Sequence, residues 1–255
     1  MKRPYKIMLI LLGAVALAVL VVVANIGRSR SQVQGIDVSI RYGRTPHLVD
    51  EQTVVDSVLK ALPQLLTQRV SEVDRDAVAE AATHVPYLKD VTATVSVSGK
   101  VVVRAAQRRP IARLFYGPRE LYFDADGAMM PISRLGDCSV LVAGGDFTEP
   151  LYVDSLNAQT EALVRLAAYL DAERKYHCLI DQIYVESDGD MMMVPKLGDH
   201  IIELGAVEDL DNKFDHLWTF YRKGMPRAGW ETYSRISLKF DGQVVCTKDA
   251  NKNKN

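Results

Sequence analysis

The sequence predicts an α+β protein: one N-terminal transmembrane helix, a small β-α-α-β-β domain, and a C-terminal antiparallel sheet with packed helices. Three observations carry that expectation. Ile7 to Ile26 is one apolar run without a charged residue. Residues 33–108 then switch between a two-residue and a 3.6-residue apolar period in the order strand, helix, helix, strand, strand. Beyond Arg109 short apolar strands recur between Asp/Gly-rich turns, interrupted by two amphipathic helices.

Residues 1–6 form a short basic head with Lys2, Arg3 and Lys6. The run 7–26 that follows covers roughly 30 Å as a helix, the thickness of a bilayer's hydrocarbon core. A cleaved signal peptide has the same layout, but its apolar region is usually about 7–15 residues. Leu and Val fill this run to its end, so an uncleaved anchor is the better reading. The head is short and all the globular sequence follows the run. The expected orientation is therefore a cytoplasmic N-terminus with the remainder outside the cytoplasm. Residues 27–32, GRSRSQ, read as a linker.

The stretch Val33 to Ile40 sets Ile36, Val38 and Ile40 on one side of a strand. Asp50 is placed to cap a helix through Val54, Val55, Val58, Leu59 and Leu62, which Pro63 ends. Asp74 caps a second helix with Ala77, Val78, Ala81 and Ala82 inward, stopped by Pro86 because the residue before proline avoids helical angles. Val91, Ala93, Val95 and Val97 alternate, Ser98-Gly99 turns the chain, and Val101 to Ala105 returns.

In residues 109–248, Leu121 to Phe123 and Ala128 to Ile132 flank the turn Asp124-Ala125-Asp126-Gly127. Ser139 to Ala143 reads as a strand, and Leu156 to Lys175 as an amphipathic helix through Leu163, Leu166, Ala167 and Leu170. Strands are expected at Ile180–Glu186, Asp190–Pro195 and His200–Leu204, and a helix at Asp209–Tyr221. Tyr233–Phe240 and Gln243–Lys248 close the domain as a hairpin about Asp241-Gly242. The polar tail 249–255 is expected to be disordered.

Composition excludes several function classes. With 31 Lys and Arg against 32 Asp and Glu, the net charge of −1 gives no general attraction to nucleic acid. Cys138, Cys178 and Cys246 are odd in number and lack a CxxC, which speaks against structural zinc; the simplest expectation is three buried thiols. The histidines share no metal-ligand spacing, and no serine sits in a Gly-x-Ser-x-Gly context. Asp124-x-Asp126-Gly127 looks like the start of a calcium loop, but Leu135 stands where the twelfth-position Glu is required. Met191-Met192-Met193 reads as a strand with alternating core contacts rather than a soft-metal patch. No catalytic, cofactor or metal site is therefore expected.

Several features in order resemble the FtsQ/DivIB family of bacterial cell-division proteins. They are the short head, the single anchor and the β-α-α-β-β unit. The stretch Val103-Arg104-Ala105-Ala106-Gln107-Arg108-Arg109-Pro110-Ile111-Ala112 stands at the expected domain junction, with Gln107 in place of the family's glutamate. Tyr122-Phe123-Asp124-Ala125-Asp126-Gly127, Ile201 to Gly205 followed by Lys213, and the pair Lys239-Phe240 complete the likeness. The resemblance implies that residues 33–108 are a POTRA-like domain and that the protein is a non-enzymatic scaffold of the inner membrane at the division septum. Implied partners are FtsB (DivIC)-like and FtsL-like coiled-coil proteins and other divisome membrane proteins, with the bilayer held through residues 7–26. POTRA-like units also occur in protein transport and envelope assembly, but tandem repeats or a barrel would mark that class.

The final strand has its own physical case. Gln243, Val244, Val245, Cys246 and Thr247 contain no proline and no charge, and a last hairpin strand has one unpaired side that can template another chain. In the family a partner adds a strand there. Lys239 and Phe240 flank it as a charge suited to an acidic partner and an aromatic anchor.

Overall fold

The computed structural model describes residues 12–17, 19, 31–147, 151 and 156–249. The transmembrane helix expected over 7–26 and the linker 27–32 fall largely outside this set, as does the tail beyond Asp249. Residues 12–17 are helical. No described helix is long and apolar enough to cross a membrane. The fold is mixed α+β, in two compact units that divide between Arg108 and Arg109.

The first unit is built in the order β1 (Ile36–Arg41), α1 (Glu51–Ala61), α2 (Arg75–Thr83), β2 (Leu88–Val95), β3 (Val101–Gln107). Asp50 accepts a hydrogen bond from Thr53 N, and Asp74 accepts from Asp76 N and Ala77 N. Such caps are each worth about 1 kcal/mol because they satisfy otherwise orphaned helix N–H groups. The sheet order is β1-β3-β2, with β1 parallel and β2 antiparallel to β3. Val54, Val58, Val78, Ala81 and Ala82 on the helices pack on Val101 and Val103 of the central strand. Val97 does not continue the inward row of β2: the strand ends at Val95 and Val97 stands 77% exposed in the turn. Gln107 is buried. Its amide accepts from Leu48 N at 2.7 Å and donates to Pro46 O at 2.9 Å and Thr45 Oγ1 at 3.1 Å. A carboxylate has no N–H for Pro46 O, so at this position the neutral amide is the better fit.

The second unit holds a nine-stranded sheet in the order β12-β11-β10-β9-β8-β7-β4-β5-β6. Its strands are β4 (Pro110–Tyr116), β5 (Arg119–Asp124), β6 (Met129–Pro131), β7 (Leu141–Gly145), β8 (Ile180–Val185), β9 (Met191–Pro195), β10 (Ile201–Gly205), β11 (Tyr233–Ser237) and β12 (Val245–Lys248). Helices α3 (Ala158–Ala172), α4 (Arg174–His177), α5 (Leu210–Lys223) and α6 (Met225–Ala228) complete it. The expected all-antiparallel sheet is corrected here. The pairs β4–β7, β7–β8 and β10–β11 are parallel. Helical connections cause two of them: α3 and α4 lie between β7 and β8, α5 and α6 between β10 and β11, and a crossover of that length returns a strand in the same direction.

The core lies between one face of this sheet and α3 and α5. Leu163, Leu166 and Leu170 of α3 and Phe214, Leu217 and Tyr221 of α5 pack on Leu114, Ile183, Met191, Met193, Ile202 and Ile236. Each fully buried side chain of this size contributes about 1.5–3 kcal/mol. The methionine strand alternates as expected, with Met191 and Met193 buried and Met192 on the other face. Asp124 builds the expected turn, accepting from Asp126 N at 3.0 Å and Ala128 N at 2.9 Å. The expectation of three buried thiols is corrected: Cys138 is buried, Cys246 half-buried and Cys178 exposed, and all three are free.

Candidate functional site

The two turns nearest the C-terminus decide what the last strand offers. The expected two-residue hairpin is replaced by a longer connection, from Leu238 to Val244, in which Gln243 N donates to Phe240 O at 3.2 Å. Gln243 and Val244 therefore precede the strand instead of opening it. Val245, Cys246 and Thr247 are in β12, with Lys248 added. The register sets Ser237 opposite Val245, Ile236 opposite Cys246 and Arg235 opposite Thr247. Cys246 and Val244 rest against the core, while Val245 and Thr247 are exposed on the other side. Ser234 Oγ donates to Thr247 O at 3.4 Å, and Asp249 N to Thr232 O at 3.0 Å. Among the described residues β12 pairs only with β11, and it forms one end of the sheet.

The flank residues differ from one another. Phe240 is 56% exposed. Lys239 is already engaged: its Nζ lies 2.6 Å from Asp190 Oδ2. That hydrogen bond raises the lysine pKa above its ordinary value, against a smaller opposing effect of burial. The lysine stem crosses Gly205, where a Cβ would come within 2.9 Å of Lys239 Cγ and where φ is +72°. Both constraints ask for glycine. The β8–β9 turn thus gathers Glu186, Asp188 and Asp190 with one lysine set against them.

Supporting contacts fix this end of the sheet from behind. Lys213 on α5 donates to Leu204 O at 3.0 Å and Ala206 O at 2.8 Å, tying the helix to the end of β10. Burial lowers its pKa, with nearby carboxylates opposing. His200, at the start of β10, is buried with its Nε2 on the Tyr221 hydroxyl, and Trp230 meets the Tyr221 ring edge-on. The histidine Nδ1 has no partner among the described residues. Burial lowers the His200 pKa and raises that of Tyr221.

A further surface adjoins the edge that sequence reading did not find. The register places Val142, Gln182, Val194, Ile201, Arg235 and Thr247 in one cross-strand row of the helix-free face. A second row holds Gly144, Tyr184, Met192 and Glu203, with Phe115 beside it. All of these except Thr247 and Glu203 line a shallow trough of about 460 Å³. Arg235 bonds Glu203 at its β11 side, and Arg113 bonds Glu120 at its β4 side. The signal was present in the sequence, since Val142, Val194 and Ile201 make these strands apolar on both faces. Phe115 was missed because the strand Pro110–Tyr116 was not recognised after a leading proline, although proline is tolerated at a strand's first residue.

A larger cavity, about 1140 Å³, lies elsewhere in this unit, lined by Tyr116, Arg119, Met129, Asp146 and Phe147 among others. Its described lining pairs no nucleophile with a base.

This geometry, a sheet with an open terminal strand behind two packed helices, is what the comparisons bear on. The family model described as FtsQ/DivIB, C-terminal related, matches residues 109–247, more than half of the chain. The chain belongs to the FtsQ/DivIB C-terminal related family. The chain is also similar to two curated proteins named cell division protein FtsQ. That of Salinibacter ruber is 26% identical over 175 residues, 66% of this chain and 67% of that protein. That of Rhodothermus marinus is 25% identical over 187 residues, 70% of this chain and 67% of that protein. The FtsQ/DivIB match spans β4 through Thr247 of β12 and so includes the sheet just described up to its last residue, Lys248.

Proposed function

We propose that this protein is a non-enzymatic scaffold of the division machinery, anchored in the inner membrane by residues 7–26 with both folded units in the periplasm at the septum. Its C-terminal sheet accepts a strand from an FtsB-like partner that associates with an FtsL-like one. The observation that carries this reading is the position of β12 as the terminal strand of the sheet, with a proline-free backbone on its outer side. Strand addition there draws on backbone hydrogen bonds of about 0.5–1.5 kcal/mol each. Val245, Thr247 and Phe240 give the added chain side-chain contacts, and the neighbouring apolar trough suits the helical part of a coiled-coil partner. Lys239 acts by holding the Leu238–Val244 connection rather than as a free charge for the partner.

The strand order β1-β3-β2 with two helices on one face supports a POTRA-like reading of the first unit. The test is capture of purified FtsB-like partner by the full chain carrying Cys246→Pro, whose N–H faces away from β11, alongside a fluorescent fusion in cells. The reading requires a mid-cell band and lost capture; a uniform envelope signal with unchanged capture would sink it.

A further inference from the structure

The leading end of the first unit is tied down as soon as the described chain resumes at Ser31. Val70 N donates to Ser31 O at 2.9 Å, Val33 N to Gln68 O at 3.1 Å, and Gln34 N to Gly99 O at 3.0 Å. Gln32 pairs antiparallel with Arg69. A Cβ on Gly99 would stand 3.4 Å from Gln34 Cγ, 3.6 Å from Val70 Cγ2 and 3.7 Å from Ser31 Oγ. Residues 31–35, the turn at 65–70 and the β2–β3 turn therefore meet at one end. The parallel strands β1 and β3 both start there, and the chain leaves this unit at the other end of β3 through Arg108.

Within residues 31–108 the exposed large apolar side chains are Val97, at 77%, and Leu66, at 40%. Both stand at this end, one in the β2–β3 turn and the other two residues before Gln68. A single exposed valine or leucine needs no explanation. Their co-location beside Ser31 does, because the apolar run ends at Ile26. The five peptide links from Ile26 to Ser31 span at most about 18 Å fully extended, and a headgroup layer is roughly 5–8 Å thick. Two carboxylates close to this end in sequence and register are paired, Asp37 with Lys100 at 3.0 Å and Glu72 with Arg69 at 3.9 Å. The preceding residues add Arg28 and Arg30.

We infer that this end of the first unit is a lipid-contacting foot: Val97 and Leu66 enter the bilayer interface while the Arg69–Glu72 and Lys100–Asp37 pairs lie at headgroup level. Apolar tips on a rim of charges already neutralised in pairs, entered from a sequence carrying Arg28 and Arg30, suit an interfacial contact. The inference rests on reading residues 7–26 as an anchor, and it makes the first unit a stand of fixed footing rather than a body on a loose tether.

The test uses the full chain in nanodiscs of phosphatidylethanolamine and phosphatidylglycerol. Single cysteines replace Val97, Leu66 or Thr83, which is exposed at the opposite end of α2, in a background of Cys178→Ser and Cys246→Ser. Each is labelled with an environment-sensitive NBD probe, and the labelled parent supplies the baseline. Labels at 97 and 66 should shift to the blue and be quenched by headgroup-depth spin-labelled lipid, while the label at 83 does neither. Unshifted emission at 97 and 66 from protein that co-elutes with nanodiscs overturns the foot and leaves the anchor standing. Protein that does not co-elute with nanodiscs overturns the anchor reading, and the foot with it.

Discussion

The nine-stranded sheet ends in two different ways. At one side β6 has three residues, Met129 to Pro131, and its last is a proline that offers no N–H. The chain after β6 also closes over the adjacent face. The Tyr122 hydroxyl on β5 donates to Asp137 and accepts from Cys138 N at 3.0 Å, and Tyr122 and Cys138 are both buried. At the other side β12 has four residues, no proline, and exposed Val245 and Thr247. Natural sheets blunt their edges against stray pairing. Both edge strands are short; among the described residues the β6 edge adds a proline and a covering segment, and the β12 edge has neither, its one charge being Lys248 at the end of the strand. That difference within a single sheet is what the proposed strand addition at β12 rests on.

The largest expected effect comes from adding the missing device to β12. Cys246→Pro should lower partner capture at least tenfold, about 1.4 kcal/mol or more, since proline removes an outward donor and crowds an incoming strand. Val245→Pro is its companion. Asp249 N and Thr247 O are both bonded on the β11 side, and neighbouring N–H groups of a strand point to opposite sides, so Cys246→Pro strikes the outer edge and Val245→Pro strikes the bond to β11. Two variants with equal loss of unit stability and equal capture would break the comparison.

The closed side is tested through its tyrosine. Tyr122→Phe leaves Cys138 N without its acceptor and should cost about 1–3 kcal/mol in urea unfolding. It should leave partner capture unchanged, because the covering loop belongs to the far edge. A capture defect matching that of Cys246→Pro would mean that the two sides are not independent.

Much of the fold was legible because local rules agreed. Asp50, Asp74, Pro63 and Pro86 marked helix ends, and the alternation of Met191 to Met193 named the buried face of β9. What was not legible depended on which strands become neighbours. Nothing in β10 or β11 alone says that they run parallel; that follows from α5 and α6 spanning the gap. Lys239 looked free because Asp190 lies far from it in sequence and meets it only across the folded sheet. Gln107 looked like a departure from a family pattern and proved to be a buried clamp on residues 45–48. The identity of the edge strand was readable, but its start was not: the Leu238–Val244 connection is longer than the Asp-Gly turn suggested.

The open side also carries a pH dependence through its buried histidine. Burial holds the His200 pKa below its ordinary value of 6.5, so the folded state resists a proton that the unfolded state accepts. Stability from this group is present in full above about pH 6.5 and is lost progressively as pH falls below it toward the lower folded value. The groups facing the ring are the Tyr221 hydroxyl and the Asp199 carboxylate, the latter pulling weakly the other way. Thermal unfolding of the second unit should therefore weaken on acidification from pH 7 to pH 5. His200→Gln, which keeps a partner for Tyr221 without a titrating ring, should flatten that slope. An unchanged slope would assign the acid response to other groups.

The smallest effect is expected at Lys239. Its bond to Asp190 joins two partly exposed side chains, at 37% and 27%, so solvent screening limits its worth to about 0–1 kcal/mol. Lys239→Met keeps the stem that packs over Gly205 and removes only the charge. If the lysine positions the Leu238–Val244 connection, capture should fall slightly, and Asp190→Asn should fall by the same amount, with no further loss in the double variant. If Lys239 instead meets an acidic partner directly, Asp190→Asn would free it and strengthen capture. The sign of the Asp190→Asn effect, measured at low and at moderate salt, therefore decides whether this flank of the open edge is scaffold or contact.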